Sequence, residues 1–345
     1  MAYTTIDDPG LFFNTVLYTG DGNDGRTVTG VGFQPDWVWL KSRSEAEHHT
    51  LNDSVRGANK QLYSHLSYSE ATDTDRLQSF DSNGFTLGTD VIVNKNTETF
   101  VSWNWKAGGS ASSNSDGSIT SSVSVNTTAG FSIVSYTGTG SNATVGHGLG
   151  ASPEVVIVKR RDNARGWRVG GEAIGTTNQF LALDTDVAFD SATTGFKSFS
   201  STTFGIGTSL DWNVSSSTFI AYCFAEKKGY SKFGSYTGNG GTDGTFVFCG
   251  FKPAFVILKC SSAISKWLIM DNKRPTSGGN PNNARLFADV SNTESTTSNM
   301  LDFCSNGFKL RTTDTDHNAS GSTNIYMAFA ESPFVNSNGL PNNAK

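Results

Sequence analysis

The same two landmarks occur three times along this 345-residue chain: a Tyr-Thr-Gly segment and, further on, a proline shortly before an apolar run. The tyrosines are Tyr18, Tyr136 and Tyr236, and the prolines are Pro35, Pro153 and Pro253. Both landmarks shift by 118 residues from the first copy to the second, and by 100 residues from the second to the third. Two landmarks that share each offset predict three structural copies of one unit.

Weaker landmarks support the same repeat and set its limits. Trp167 and Trp267 are again 100 residues apart. Ser-Asn-Gly-Phe occurs at 82–85 and 305–308, with Phe204-Gly205 as a weaker counterpart. Each copy closes with an apolar run, at 100–105, 219–224 and 325–329. The repeat predicts the following division of the chain: unit one at 1–107, a Gly/Ser-rich linker at 108–117, unit two at 118–228, unit three at 229–333 and a tail at 334–345.

Composition and local pattern together predict an all-β fold. Charged residues make up 17 % of the chain and aromatic residues 12 %, and 37 glycines are present, which favours short strands joined by polar turns. Each repeated proline precedes a run that is apolar at nearly every position, so both faces of that strand should be covered. Asn83-Gly84 and Asn306-Gly307 are tight-turn dipeptides between strand-like segments. We therefore expect three tandem β-sandwich-like domains of the lectin or jelly-roll type.

The connecting segments have their own signatures. The linker at 108–117 reads Gly-Gly-Ser-Ala-Ser-Ser-Asn-Ser-Asp-Gly, which is typical of a flexible connection. Ser118 to Tyr136 are expected to form a hairpin that opens unit two. The turn-rich tail from Phe334 onwards is a candidate for docking on a neighbouring protein.

Charge and hydropathy argue against several classes of partner. The net charge is −5 and no Lys/Arg run is present, so we expect no nucleic-acid partner. No apolar stretch approaches the ~20 residues that span a bilayer, so we expect no membrane insertion. The first eight residues lack a basic region followed by an apolar core, and no signal peptide is expected. The four cysteines form no Cys-x-x-Cys pair, so free buried thiols are favoured, although a disulfide stays open.

Several segments resemble a known family: Phe-Asn-Thr-Val-Leu-Tyr-Thr-Gly at 13–20, Gly-Phe-Gln-Pro-Asp at 32–36, Asp-Ser-Val-Arg-Gly at 53–57, Trp-Asn-Trp-Lys-Ala-Gly at 103–108 and Gly-Phe-Ser-Ile-Val-Ser-Tyr-Thr-Gly at 130–138. Together they resemble a repeated domain of unassigned function in virion proteins of tailed bacteriophages, notably phages of aquatic bacteria and cyanobacteria. The resemblance runs from about residue 10 to 333. It implies a protein at the virion surface, as a tail fibre, a tail-associated protein or a capsid decoration. The family has no assigned chemistry, so it implies no catalytic residues.

Catalytic patterns are weak, and we expect no enzymatic activity. No Gly-x-Ser-x-Gly nucleophile elbow occurs. A glycan-degrading depolymerase needs two facing carboxylates, and Asp184 and Asp186 on a strand would share one face, roughly 6 to 7 Å apart. Such a pair more often marks a turn or a loop. A phage-tail depolymerase and a carbohydrate-binding module are therefore kept as alternatives.

We expect no metal ion or other cofactor. Asp21-Gly22-Asn23-Asp24-Gly25 begins like a calcium loop, but its glycine comes one position early and no glutamate closes it. The segment Asp314-Thr315-Asp316 lacks the glycine that should follow. Both segments favour turns. His48 and His49 are adjacent, so on a strand their side chains would point apart rather than bind one zinc ion.

Four tryptophans lie at strand spacing. Trp37 with Trp39, and Trp103 with Trp105, each share one face of a strand. Such ladders can stack on sugar rings. Units two and three carry Phe, Val, Ile and Tyr at the matching places, so a role in the hydrophobic core is favoured.

The remaining tryptophans are the predicted binding residues. Trp167, Trp212 and Trp267 are flanked by polar residues, and we expect them to reach a surface, a ligand or a subunit interface. The expected partners are other virion proteins and host surface glycans. A homo-oligomer, in particular a trimer, is a further expectation.

Overall fold

The computed structural model describes residues 3–175, 177–275 and 279–342. Its regular structure is almost entirely β-strand, in sheets whose strands pair antiparallel, so the predicted all-β fold is confirmed. None of the helices in the described ranges is long and apolar enough to cross a membrane.

Each unit contributes a set of short strands. Unit one has a 3-10 turn at Pro9–Leu11, β1 (Phe13–Thr19), β2 (Arg26–Thr29), β3 (Trp37–Ser42), β4 (Thr50–Asp53), β5 (Gly57–Leu62), β6 (Ala71–Thr72), β7 (Leu77–Asp81), β8 (Gly84–Leu87), α1 (Val91–Asn94) and β9 (Thr99–Trp105). The linker and unit two have β10 (Ser112–Asn114), β11 (Ser121–Asn126), β12 (Phe131–Thr137), β13 (Ala143–Gly146), β14 (Val155–Arg160), β15 (Arg168–Gly170), β16 (Gln179–Phe180), β17 (Asp190–Ser191), β18 (Phe196–Phe199), β19 (Thr203–Ile206) and β20 (Thr218–Phe224). Unit three has β21 (Ser231–Thr237), β22 (Phe246–Phe248), β23 (Phe251–Cys260), β24 (Leu268–Asp271), β25 (Leu286–Phe287), β26 (Leu301–Cys304), β27 (Gly307–Leu310), α2 (Thr315–Asn318) and β28 (Thr323–Pro333).

The same strand order recurs in the three units. A large sheet carries the first strand, the closing strand and the strand after the repeated proline side by side, in the orders β1-β9-β3-β4-β5-β6, β10-β11-β12-β20-β14-β15 and β21-β28-β23-β24-β25. A small three-stranded sheet accompanies each, in the orders β2-β8-β7, β13-β19-β18 and β22-β27-β26. The repeated prolines therefore introduce equivalent strands. Pro253 lies inside its strand, at a register shift where a missing N–H costs little.

The strands after the prolines are buried on both faces. In β3, Val38 and Leu40 point to the core that unit one forms with its small sheet, where they join Phe85. The alternate residues Trp37 and Trp39 point to the opposite face and a different core. Strands β14 and β23 divide their side chains in the same way. This explains a strand that is apolar at every position although its sheet is antiparallel.

The second core is shared by the three units. It contains the inward-facing residues of all three large sheets, with Phe13 and Trp105 from unit one, Phe224 from unit two, and Phe255 and Phe329 from unit three among them. The Phe329 ring lies 5.3 Å from Phe13 and 5.8 Å from Phe224, between centroids. The units are thus packed around one centre rather than strung in series. The boundaries between them stay a prediction.

Main-chain hydrogen bonds close the three units into a ring. One equivalent N–H to carbonyl bond joins each pair of units: Glu70 to Arg161 over 2.8 Å, Phe189 to Ser261 over 2.9 Å and Glu294 to Arg43 over 2.8 Å. We name the three contacts the 1/2, 2/3 and 3/1 interfaces. Because the same bond recurs at each, the chain has an approximate threefold arrangement of its units.

The small sheets of units one and three have glycine at one equivalent place, where unit two has Thr203. Each predicted Asn-Gly turn is shifted by one residue: Ser82 and Asn83 form the turn, and Gly84 is already the first residue of β8. A Cβ at Gly84 would lie 1.9 Å from the Val28 carbonyl oxygen of the neighbouring strand, and one at Gly307 would lie 2.0 Å from that of Val247. Glycine is therefore needed at these positions for the close approach of the neighbouring strand, and not for the turn.

The connecting segments are more ordered than their composition suggests. Residues 112–114 of the presumed flexible linker form β10, which pairs with β11, so the linker prediction is wrong for this part. The hairpin predicted to open unit two is confirmed as β11 and β12. In the tail, the Phe334 N–H bonds the Gly250 carbonyl, and Ser337 donates its N–H to Asp7 over 2.7 Å. The described part of the tail therefore contacts its own chain; docking on a neighbour stays a prediction.

Truncation of Phe329 to Ala should destabilise the whole chain by about 3–5 kcal/mol, because a shared core loses a buried ring. Calorimetry should show one unfolding transition that moves as a unit. The control Ile264→Ala removes a side chain that is 70 % exposed and should change the free energy of unfolding by less than about 0.5 kcal/mol. Separate transitions, of which only one responds to Phe329→Ala, would contradict the shared core.

Candidate functional site

The three tryptophans predicted to bind a ligand are buried. Trp167 is 0 % exposed, Trp212 1 % and Trp267 1 %, so the prediction that they reach the protein surface is wrong. The indole nitrogens donate to main-chain carbonyls: Trp167 to Tyr63 over 2.8 Å, Trp212 to Thr194 over 2.7 Å and Trp267 to Ala182 over 2.8 Å. Such a bond satisfies the only polar atom of the ring, so a polar sequence context does not require exposure. The structure does not bring the three together.

Trp167 and Trp267 instead hold two of the unit interfaces. The Trp167 bond crosses the 1/2 interface and the Trp267 bond crosses the 2/3 interface. At the 3/1 interface the matching position is His49, whose Nε2 lies 2.9 Å from the Phe287 carbonyl oxygen. Because His49 Nδ1 accepts from the Trp39 indole, Nε2 carries the hydrogen and donates it. A subunit interface was one of the places predicted for these tryptophans. Trp167 and Trp267 do lie at interfaces, but these interfaces join units of the same chain.

A buried ion pair lies beside the shared core in unit one. Arg56 Nε is 2.5 Å from Asp53 Oδ2, and both side chains are fully buried. Tyr222 of unit two donates its hydroxyl to the same Asp53 oxygen over 2.7 Å. Arg56 also bonds Glu70 over 3.3 Å. The buried charges are therefore paired and hydrogen-bonded, as burial requires.

Unit three repeats this arrangement, and unit two lacks it. Arg274 Nε is 2.5 Å from Asp271 Oδ2, which accepts the Trp103 indole N–H of unit one over 2.9 Å. In unit two the matching positions are Gly171 and Ile174, and the residue facing them from unit three is Met327. A thioether donates no hydrogen bond. All three members of the arrangement are thus replaced together, which leaves the 2/3 interface apolar at this place.

Three equivalent lysines are also buried. Burial lowers the pKa of Lys41, Lys159 and Lys259 to about 8. Lys159 Nζ donates to the Ser67 carbonyl of unit one, and Lys259 Nζ to the Asp186 carbonyl of unit two, over 3.2 and 3.0 Å. Lys159 and Lys259 thus join units, whereas Lys41 Nζ donates to the Ser42 and Glu45 carbonyls of its own unit.

The carboxylate pair considered for glycan cleavage does not form a facing pair. Residues 183–185 form a turn outside any strand, as is usual for such a pair. Asp186 is exposed, whereas Asp184 is largely buried. Asp184 accepts the Trp167 N–H over 3.0 Å, and Asp289 accepts the Trp267 N–H over 2.9 Å at the equivalent place. Burial raises the pKa of Asp184, and raises that of Asp289 to about 6. The repeated bond indicates a structural role for Asp184.

The segments tested for metals are closed by protein donors. Asp21 accepts the Asn23 N–H and pairs with Arg26. These contacts lower the pKa of Asp21 to about 2, and the hydrogen bond from Asn23 has the largest effect. Asp314 caps α2 by accepting the Asp316 N–H. His48 Nδ1 lies 2.8 Å from His65 Nε2. Across residues 3–175, 177–275 and 279–342, no group of three metal-ligating side chains has a geometry suited to an ion.

The cysteines behave as expected. Cys223, Cys249, Cys260 and Cys304 are free thiols, and the first three are buried. The interpretation as buried apolar residues is confirmed for those three, and Cys304 is half-buried.

An aromatic pair at the surface was missed in the sequence. Phe246 and Phe248 are alternate residues of β22, at the edge of the small sheet of unit three, and they are 44 % and 56 % exposed. Strand register sets their counterparts: Thr27 and Thr29 in unit one, and Thr144 and Gly146 in unit two. Only the third copy therefore carries rings on this outer face. Comparing the repeats position by position would have shown the difference.

Charged side chains border the two rings. Phe246 is directly paired with Lys309, which places both side chains on the same face of the sheet. Lys309 Nζ is 2.6 Å from Asp243, and Arg311 pairs with Asp302 over 2.5 Å. Because each cation has a carboxylate partner, the border is close to neutral. We call Phe246, Phe248 and Lys309 the aromatic edge and take it as the candidate binding surface.

Raising the pH from 4 to 6 should lower the free energy of unfolding of the wild type relative to Asp289→Asn. The raised pKa of Asp289 means that the folded protein keeps a proton in this interval which the unfolded chain releases, so stability falls as the pH rises. The relative loss should approach about 2 kcal/mol by pH 6 to 7, and urea unfolding at several pH values measures it. Asp184→Asn should show the same sign. A difference that stays constant or grows with pH would refute this.

Comparison with known proteins identifies a family. No curated protein and no solved structure matches the chain. One family model matches residues 8–333, a range that covers all three units. The chain belongs to the family described as a domain of unknown function, DUF7483.

Proposed function

We propose that this chain is a non-enzymatic structural protein displayed on the surface of a bacteriophage particle, as a tail fibre, a tail-associated protein or a capsid decoration. The observation that carries the proposal is the closed ring of three units on one shared core, with the aromatic edge on its outside. The ring serves as a rigid support, and the outer faces of the small sheets serve as binding surfaces.

The contacts of the buried polar groups favour a structural role for the ring. The buried ion pairs Asp53–Arg56 and Asp271–Arg274 lie where two units meet and take donors from the adjoining unit. Perturbed pKa values often mark catalytic groups, but structural networks perturb them as well. Burial lowers the pKa of Lys159 and Lys259, and both ammonium groups donate hydrogen bonds to carbonyls of the adjoining units, which favours a structural role.

The resemblance to repeated domains of phage virion proteins supports the placement on a particle. The proposed partners are other virion proteins, with host surface glycans as a second class. The ring already supplies a threefold arrangement within one polypeptide, and a homotrimer of the chain stays a proposal of its own.

A glycan-degrading depolymerase is the second candidate. The observation in its favour is Asp184, a largely buried carboxyl with a raised pKa, two residues from the exposed Asp186. Its equivalence to Asp289, which makes the same hydrogen bond, weighs against it. A carbohydrate-binding module would need exposed rings, and two of them, Phe246 and Phe248, lie side by side in the aromatic edge.

Immunogold labelling tests the particle placement. Antibodies against this chain should decorate the surface of intact purified particles, because the proposed protein is displayed outward. Antibodies that have been pre-absorbed with the purified chain serve as the control and should not label the particles. Label found only in the soluble lysate, with bare particles, would exclude the proposal.

Incubation with host envelope polysaccharide separates binding from cleavage. We expect no release of reducing ends by the wild-type chain, and no difference between it and the Asp184→Asn and Asp186→Asn variants. Release that disappears in either variant would favour the depolymerase instead.

A further inference from the structure

We propose that the aromatic edge binds an extended polypeptide segment of another protein by strand addition to β22. The segment would carry an apolar β-branched residue between small polar residues. The inference rests on the proposed function, in which outer faces contact other virion proteins, and it names the chemistry of that contact.

The chain itself contains the template for this binding. In unit two the strand equivalent to β22 is β13, and its outer edge is occupied by the segment around Ile119. Ile119 bridges Val145 in parallel and donates its N–H to the Thr144 carbonyl over 3.0 Å. Ser118 accepts the Thr144 N–H on its hydroxyl over 2.9 Å. A short extended segment can therefore pair with this edge.

The same edge is open in unit three. The Thr245 carbonyl accepts from Leu310 and the Cys249 N–H donates to Asn306, so both point into the sheet. Backbone groups alternate along a strand, and those of Phe246 and Phe248 therefore point outward. Within residues 3–175, 177–275 and 279–342, no other strand pairs with β22 on that side. Two donors and two acceptors are available there for a partner strand.

The rings add apolar area to this edge. At the matching positions of the occupied edge stand Thr144 and Gly146, and at those of the other open edge, β2, stand Thr27 and Thr29. Only β22 combines outward backbone groups with exposed rings. An added strand would gain main-chain hydrogen bonds from the edge and side-chain packing from the phenyl groups, which is how strand addition obtains affinity and specificity.

Competing occupants fit less well. Edge pairing with a second copy would use only the three residues of β22 from each chain, so a stable dimer, which buries at least roughly 1,200 Å², would need further contacts. A glycan would stack on the rings but would leave the outward backbone groups without a matched ladder. The neutral border formed by Lys309 with Asp243 and Arg311 with Asp302 sets no demand for a charged partner.

A peptide copied from the chain tests the proposal. The probe is a fluorescein-labelled peptide with the sequence of residues 115–123, Ser-Asp-Gly-Ser-Ile-Thr-Ser-Ser-Val, which includes the residues Ser118 and Ile119 that bond the edge in unit two. Fluorescence anisotropy with the full-length chain should show saturable binding. The double variant Phe246→Thr with Phe248→Thr gives β22 the side chains of β2 and should bind at least tenfold more weakly. A peptide with Asp in place of isoleucine should also bind at least tenfold more weakly.

Further measurements separate the possible outcomes. The Phe246→Thr, Phe248→Thr variant replaces exposed residues by a good strand former, and an unchanged melting curve should show that it folds. The reciprocal variant, Thr27→Phe with Thr29→Phe, should raise the stoichiometry towards two peptides per chain. Absent binding, or equal binding by wild type and double variant, overturns the proposal. So does ring-dependent dimerisation in sedimentation, or ring-dependent binding of host oligosaccharides without peptide binding. Immunogold labelling is independent of these results, so either proposal can fail alone.

Discussion

The structure depends on strands that are apolar on both faces. In β3, β14 and β23 one set of alternate side chains packs on the small sheet of the same unit, and the other set packs in the core that the three units share. Three such surfaces satisfy one another when they meet at a common centre. The shared core is therefore a requirement of the side-chain pattern, and the ring of units follows from it.

The ring brings polar groups into the interior, and several of them are hydrogen-bonded across an interface. Asp53 and Asp271 take donors from the adjoining units, and Lys159 and Lys259 donate to carbonyls of the adjoining units. Leaving a buried charge without its partner is costly, so these contacts fix the orientation of the units as well as their association. The hydrophobic core supplies attraction, and the hydrogen bonds select one arrangement.

Much of the fold could be predicted from the repeat and from strand periodicity, because both are local properties of the sequence. The shared core could not, since a pattern shows that a face is covered but not by which segment. Trp167 and Trp267 were misjudged for a related reason. Polar neighbours are equally compatible with exposure and with a buried indole bonded to a distant carbonyl. Phe246 and Phe248 look like core residues when read alone, and only register against β2 and β13 shows that they face outward.

The joined polypeptide allows the three interfaces to differ. Three identical subunits on a symmetry axis would have to adopt any substitution at every contact at once. Here, glycine, isoleucine and methionine stand at a single contact, where the other two contacts have an acid, a guanidinium group and a hydrogen-bond donor. Because the three units lie in one polypeptide, their contacts can differ independently: one interface is apolar at a place where the other two are polar, and one outer edge carries aromatic rings that the other two lack.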